Sequence, residues 1–138
     1  MSYQINQVEW GVQEHLISQI RERVFVCELH MPKDAEFDER DLTALHFLAF
    51  HSNGEAIATA RLCKDGLVGR IAVLPAHRSR GVYQKMLATI ISQAQQAGLD
   101  SICVNCILQE VERFKRQGFS PCGSVFMESG IARQTLQC

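Results

Sequence analysis

No charge of either sign dominates this chain: 14 Lys and Arg stand against 15 Asp and Glu, a net charge of −1. The basic excess that holds a nucleic-acid backbone is missing. No apolar run approaches the ~18 residues that a membrane-spanning helix needs. Met1 to Val8 lacks the basic and apolar regions of a secretory signal, so a soluble cytoplasmic protein is the expectation. Internal repeats, linkers and low-complexity stretches are absent too. What remains is a chain of 138 residues, 46% of them hydrophobic, which suits one domain over residues 1–138 with a buried core. Two phosphate-binding fingerprints are lacking, Gly-Lys-Ser/Thr and Gly-x-Gly-x-x-Gly. Cys103-Val-Asn-Cys106 has the C-x-x-C spacing, but it falls in a strand pattern and has no second ligand pair for zinc. A chain this long folds without disulfides, so the six cysteines read as thiols and no metal is expected.

The patterning that is present orders the elements. Tyr3 to Val8 alternates weakly, as an edge strand does. Val12, Leu16, Ile20 and Val24 recur every fourth residue beside Ile17, which predicts a helix over about 12–27. Glu28 to Asp41 is acidic and broken by Pro32, a loop with room for a short helix. Ala44 to His51 and Ala56 to Cys63 are apolar runs joined through Asn53-Gly54, a strong hairpin signal because both residues accept positive φ. Asp65-Gly66 marks a second turn into Leu67 to Leu74. Val82, Met86, Ile90 and Ala94 mark the clearest helix, stopped by Gly98. Ser101 to Cys106 is a strand, Glu110 to Gln117 a short helix, and Phe119 to Gln137 one or two final strands. A meander followed by a strand–helix–strand crossover implies an α+β fold. Its mixed, mostly antiparallel sheet would have 6–7 strands and about four flanking helices.

The chemistry concentrates where the strand from Leu67 ends. Val73-Leu-Pro-Ala-His-Arg78-Ser79-Arg80-Gly81-Val82-Tyr83-Gln84 runs from that strand through a tight loop into the long helix. Free N–H groups at a helix start attract anions. Gly81 permits close backbone approach, and two arginines add charge. Capture of a phosphate or pyrophosphate is one reading; a solvated turn is the other.

Val73, four residues, Arg78, two residues, Gly81, one residue and Tyr83 resembles the coenzyme A signature of the GNAT N-acetyltransferase superfamily. Arg21-Glu-Arg-Val-Phe-Val-x-Glu28 with Glu36, Asp38, Asp41 and His46 resembles the N-terminal half of a small bacterial subgroup. Phe114-Lys-Arg-Gln-Gly-Phe119 resembles its C-terminal helix and strand. The resemblance implies an acetyltransferase using acetyl-CoA as co-substrate and a small-molecule or protein amine as acceptor. Partners of nucleic-acid or membrane type are not expected, and a homodimer is open. It also implies that Ile71, Ala72 and Val73 meet the pantetheine arm and that 78–84 hold the pyrophosphate. A backbone N–H, that of Val73, would hold the oxyanion. Asn105 either bonds the cofactor's amides or caps its strand. Candidate bases are Glu28, His46, Glu36 and Asp38; the alternatives are loop solvation for Glu28 and a core position for His46. The chain departs from the pattern twice: Tyr83 replaces a small residue, and Phe114 stands where many relatives carry the tyrosine that protonates the thiolate. These departures favour, as the alternative, a non-catalytic acyl-CoA binder or interaction domain.

Overall fold

The computed structural model describes residues 3–31, 38–128 and 130–138. Eight strands form one mixed sheet: β1 (Tyr3–Val8), β2 (Leu45–His51), β3 (Ala56–Leu62), β4 (Leu67–Val73), β5 (Cys103–Ile107), β6 (Ser120–Pro121), β7 (Phe126–Glu128) and β8 (Ile131–Gln137). The spatial order is β1-β2-β3-β4-β5-β8-β6, with β7 also on β8. Every neighbouring pair is antiparallel except β4 and β5. The strand count exceeds the sequence expectation because the C-terminal stretch adds two very short strands, β6 and β7, along one edge of β8. Among the described residues three α-helices flank the sheet: α1 (Trp10–Arg21), α2 (Val82–Gln96) and α3 (Val111–Arg116). The wider turns of a π-helix continue α1 over Glu22–Glu28, and a 3₁₀ turn occupies Glu39–Leu42.

The two faces of the sheet bury separate cores. On one face, Val82, Met86, Leu87, Ile90 and Ala94 of α2 and Phe114 of α3 pack with Phe47, Ile57, Val68 and Val104. On the other, Ile17, Ile20 and Val24 pack against Leu48, Ala72 and Leu74. Val12, read as part of the α1 stripe, is 68% exposed. The face of α1 that meets the sheet passes through Ile17 and Ile20, and Val12, five residues before Ile17, lies well round the helix from that face. The Asn53-Gly54 hairpin forms as expected, with Gly54 at φ +91° and the Glu55 N–H donating to Asn53 Oδ1 at 2.8 Å. None of the described helices is long and apolar enough to cross a membrane.

The start of β4 is the point from which the sheet opens. Gly66 has φ +92°, and a Cβ there would lie 2.7 Å from the Ser101 carbonyl oxygen. The glycine therefore lets the β3–β4 turn sit against the start of β5, where the Gly66 carbonyl accepts from the Cys103 N–H at 2.9 Å.

A buried ionic network ties α1, the 3₁₀ turn and the sheet together. Asp41 accepts from Arg21 through both carboxylate oxygens, at 2.9 and 3.0 Å, and from Arg61 at 3.1 Å. Arg61 also donates to Asp38 at 2.7 Å, and Arg70 reaches Asp38 at 3.1 Å. Arg21, Asp41 and Arg61 are all fully or almost fully buried. Burial opposes ionisation of Asp41, yet the two guanidinium groups more than offset it and hold its carboxyl below the usual range. Asp41→Asn leaves two buried cations with one partner fewer, and is expected to destabilise the fold by about 3–5 kcal/mol in denaturant titration. Because the folded pKa is depressed, the carboxylate's contribution is complete above about pH 4 and fades as pH falls below it. The gap in stability between the two proteins is expected to narrow over that acid range.

Candidate functional site

Strands β4 and β5 pair only at their beginnings, through Leu67 with Cys103 and Val68 with Val104. Beyond that the described residues show no pairing between them, and a gap opens toward their C-terminal ends. Two features hold the gap open. On the β3 side, Arg61 faces Gly69 while Thr59 faces Ala72, so Arg70 and Ile71 bulge opposite Ala60. Arg70 carries the bulge at φ +53°, a left-handed conformation unusual for a residue with a side chain. On the far side, β8 holds β5 along its whole length from Cys103 to Ile107.

The backbone facing this gap follows from strand alternation. Leu74 N–H donates to Ile57 of β3 at 2.9 Å. The N–H and C=O of Val73 therefore point the opposite way, into the gap. Ala72 and Val73 direct their side chains to the two opposite cores, and Ile71 packs partly buried on the α2 side. Asn105 borders the gap: its Oδ1 accepts from Thr135 at 2.6 Å and its carbonyl from Arg133 at 3.2 Å, two bonds that leave its Nδ2 donors uninvolved.

At the mouth of the gap the chain turns through a 3₁₀ segment, Pro75–Arg80, into α2. Gly81 caps the helix at φ +73°, and no atom lies within 4 Å of where its Cβ would be. The helix's first backbone bond runs from Lys85 N–H to the Gly81 carbonyl, at 3.1 Å. The N–H groups of Val82, Tyr83 and Gln84 precede it and lack helical acceptors. These donors, the αL glycine and the open space above it make a cradle of the kind that can receive an anion. The side chains of Ser79 and Arg80 lie outside the described set.

Arg78, expected to add charge to this cradle, is turned elsewhere. Its Nε donates to the Val73 carbonyl at 2.8 Å, and its two terminal nitrogens bind both oxygens of Glu28 at 2.6 and 2.5 Å. The guanidinium lowers the Glu28 carboxyl below its usual range, by hydrogen bonding above all. Tyr83, where the signature has a small residue, points toward α3. Its ring meets Phe114 edge-on at 6.1 Å, and the Arg113 guanidinium stacks 4.6 Å above it. Burial pushes the phenol pKa up. Phe114 is 1% exposed, wedged between Tyr83 and Phe119.

The remaining candidates separate. His46 is wholly buried: its Nε2 donates to the Asp41 carbonyl at 2.8 Å, its ring lies 4.8 Å from Trp10, and burial lowers its pKa. It is a core histidine with no exposed surface. Asp38 and Asp41 are committed to the arginine network, so the acidic stretch is not simply a solvated loop. Glu36 lies outside the described residues. Patterning missed Arg21, Arg61 and Arg70. The available signal was Arg61 inside the otherwise apolar run Ala56 to Cys63, where a charge demands a buried partner. A cleft of about 570 Å³ lies beside the network, walled by Trp10, Glu14, Glu22, Glu39 and Leu42.

Comparison with known proteins gives a consistent picture. The family model described as an acetyltransferase (GNAT) domain matches residues 13–138. YjcF of Bacillus subtilis, named an uncharacterized N-acetyltransferase, is 30% identical over 115 residues, 81% of this chain and 82% of that protein. Among solved structures, an acyl-CoA N-acyltransferase from Pseudomonas aeruginosa superposes with TM-score 0.87 at 22% identity, covering 99% of both chains. Escherichia coli ElaA superposes with TM-score 0.88 at 22% identity, again over 99% of each chain.

Among the described residues no cluster of His, Cys, Asp and Glu is arranged to hold a metal ion. The cysteines divide by environment. Cys27, Cys122 and Cys138 are exposed, while burial raises the thiol pKa of Cys63, Cys103 and Cys106. A thiol reagent at neutral pH is therefore expected to titrate three thiols rapidly in the native protein and all six after denaturation.

Proposed function

The chain belongs to the GNAT acetyltransferase family, and from that premise we propose that it transfers an acetyl group from acetyl-CoA to a primary amine in a ternary complex. The observation carrying this reading is the gap between β4 and β5, with the Val73 N–H aimed into it and an anion cradle at its mouth. The cradle fits a pyrophosphate: the first N–H groups of α2, which lack α-helical acceptors, lie beside a glycine whose missing side chain leaves the approach clear. The free edges of Ile71 and Val73 suit the amides of a pantetheine arm. The Val73 carbonyl is already held by Arg78, so its N–H is the stronger partner there.

The thioester supplies an activated carbonyl. The amine attacks that carbon, and the Val73 N–H stabilises the oxyanion as the tetrahedral centre forms. Collapse breaks the carbon–sulfur bond, giving an amide and a thiolate. The attacking nitrogen must shed a proton, and the Glu28 carboxylate is the solvent-accessible base at the mouth of the gap. Phe114 has no proton to give the thiolate. With a thiol pKa near 8.5 the sulfur departs without a dedicated acid and is protonated by water. The Tyr83 phenol, buried and stacked under Arg113, keeps its proton throughout the neutral range. Cytoplasmic location, where the donor is available, accords with this reading.

Calorimetric titration with acetyl-CoA and with free coenzyme A tests it. Micromolar binding of both is expected, followed by amine-dependent release of the free thiol; absence of binding would overturn the assignment. Gly81→Glu is expected to abolish binding, because its charge and bulk oppose a pyrophosphate. Gly81→Ala separates that effect from backbone strain: it carries the roughly 1–2 kcal/mol cost of a left-handed residue but retains binding.

A further inference from the structure

Among the described residues, one positively charged side chain beside the anion cradle is occupied by an anion of the protein's own. Arg78 sits in the segment leading into α2, and its Nε bond to the Val73 carbonyl places it at the mouth of the β4–β5 gap. Its two terminal nitrogens grip Glu28, fifty residues earlier in the chain, in a bidentate pair. The pair has the fork geometry with which arginine binds carboxylates and phosphates alike. It is also accessible, with side chains 41% and 37% exposed. Exposure decides its character, because an exposed ion pair contributes little to stability and is readily exchanged. The buried pairs of the network around Asp41 are of the opposite kind.

We infer that Glu28 is a competing internal anion: it occupies Arg78 in the free protein and yields it to the pyrophosphate of the acyl donor. This rests on the donor reading above. The exchange has a chemical consequence at the same place. While paired, Glu28 is held as a weak base by the guanidinium. Once Arg78 turns to the phosphates, the carboxylate loses its partner and becomes available to the ammonium group or the proton of an incoming amine. Donor binding would then prepare the acceptor side, and donor would precede acceptor. A strut is the competing description, in which Glu28 and Arg78 together fix the end of β4 and both help the cofactor to bind.

The two descriptions predict opposite signs for Glu28. Wild type, Glu28→Gln, Arg78→Gln and the double variant are titrated calorimetrically with coenzyme A and, as a probe without pyrophosphate, with S-acetylpantetheine. Exchange predicts that Glu28→Gln binds coenzyme A about two- to fivefold tighter than wild type, and that Arg78→Gln binds it more weakly. It also predicts no gain from Glu28→Gln in the Arg78→Gln background, and none for S-acetylpantetheine. Inorganic pyrophosphate is expected to compete with coenzyme A more effectively in Glu28→Gln than in wild type. Weaker or unchanged coenzyme A binding by Glu28→Gln, with thermal unfolding confirming a native fold, overturns the exchange and leaves the donor reading standing. No binding by any of the four proteins removes the donor reading and the exchange together.

Discussion

Everything distinctive in this structure follows from a parallel strand pair that is abandoned after two residues. Parallel neighbours normally continue to pair, since each residue that leaves the ladder must satisfy its backbone groups elsewhere. Here β4 and β5 begin together at Gly66 and Cys103 and then part. The bulge at Arg70 and Ile71 re-aims β4 on one side, and β8 retains β5 on the other. The abandoned donors and acceptors of β4 are then presented to the gap. Val73 shows the division of labour: its carbonyl is satisfied within the protein by Arg78, and its N–H is left to the gap.

A bulge carried on a non-glycine residue at positive φ costs free energy, roughly 1–3 kcal/mol. The ionic network supplies what holds it. Arg70 reaches Asp38, Asp38 holds Arg61, Arg61 shares Asp41 with Arg21, and Arg21 belongs to α1. Each buried charge is expensive to desolvate, and a hydrophobic cluster of the same volume would give comparable stability. What the charges add is direction. A carboxylate gripped in a fork at about 3 Å fixes the position of the 38–42 segment on the sheet more tightly than apolar contact does. One chain of contacts therefore runs from α1 through the turn to the strand that bounds the gap.

The sequence shows local order plainly and remote pairing hardly at all. The α2 stripe, the Asn53-Gly54 hairpin, the meander and the crossover are written in spacings of two to four residues, and the structure contains each of them. The turn at Gly81 into α2 was legible because the glycine and the start of the helix are adjacent in the chain. The arrangement of its charges was not. Arg78 and Glu28 are 50 positions apart, Arg70 and Asp38 are 32, and Arg61 and Asp41 are 20. No periodicity encodes such pairs. Arg78 read as a phosphate ligand from its neighbours, and His46 as a possible base from its chemistry. Only the fold shows the one bound to a carboxylate and the other sealed beneath Trp10.

A fold written in local spacings tolerates wide change of side chains, and structures at 22% identity accordingly superpose at TM-scores of 0.87 and 0.88. The features that would bind the donor are main-chain features: a strand edge, a helix start and a left-handed turn. They require glycine at Gly81 and a buried apolar face on α2, but few particular side chains. On the proposed reading, recognition of an amine acceptor would not rest on the backbone in the same way, because amines differ in shape and charge and share no phosphate. It would fall to side chains around the mouth of the gap. Glu28 stands there at the meeting of the two requirements, paired with the donor-side arginine on one hand and open to solvent on the other. A change at Glu28 that suited another acceptor would also change what Arg78 is paired with, so the acceptor side and the donor side of such a site would be coupled through one ion pair.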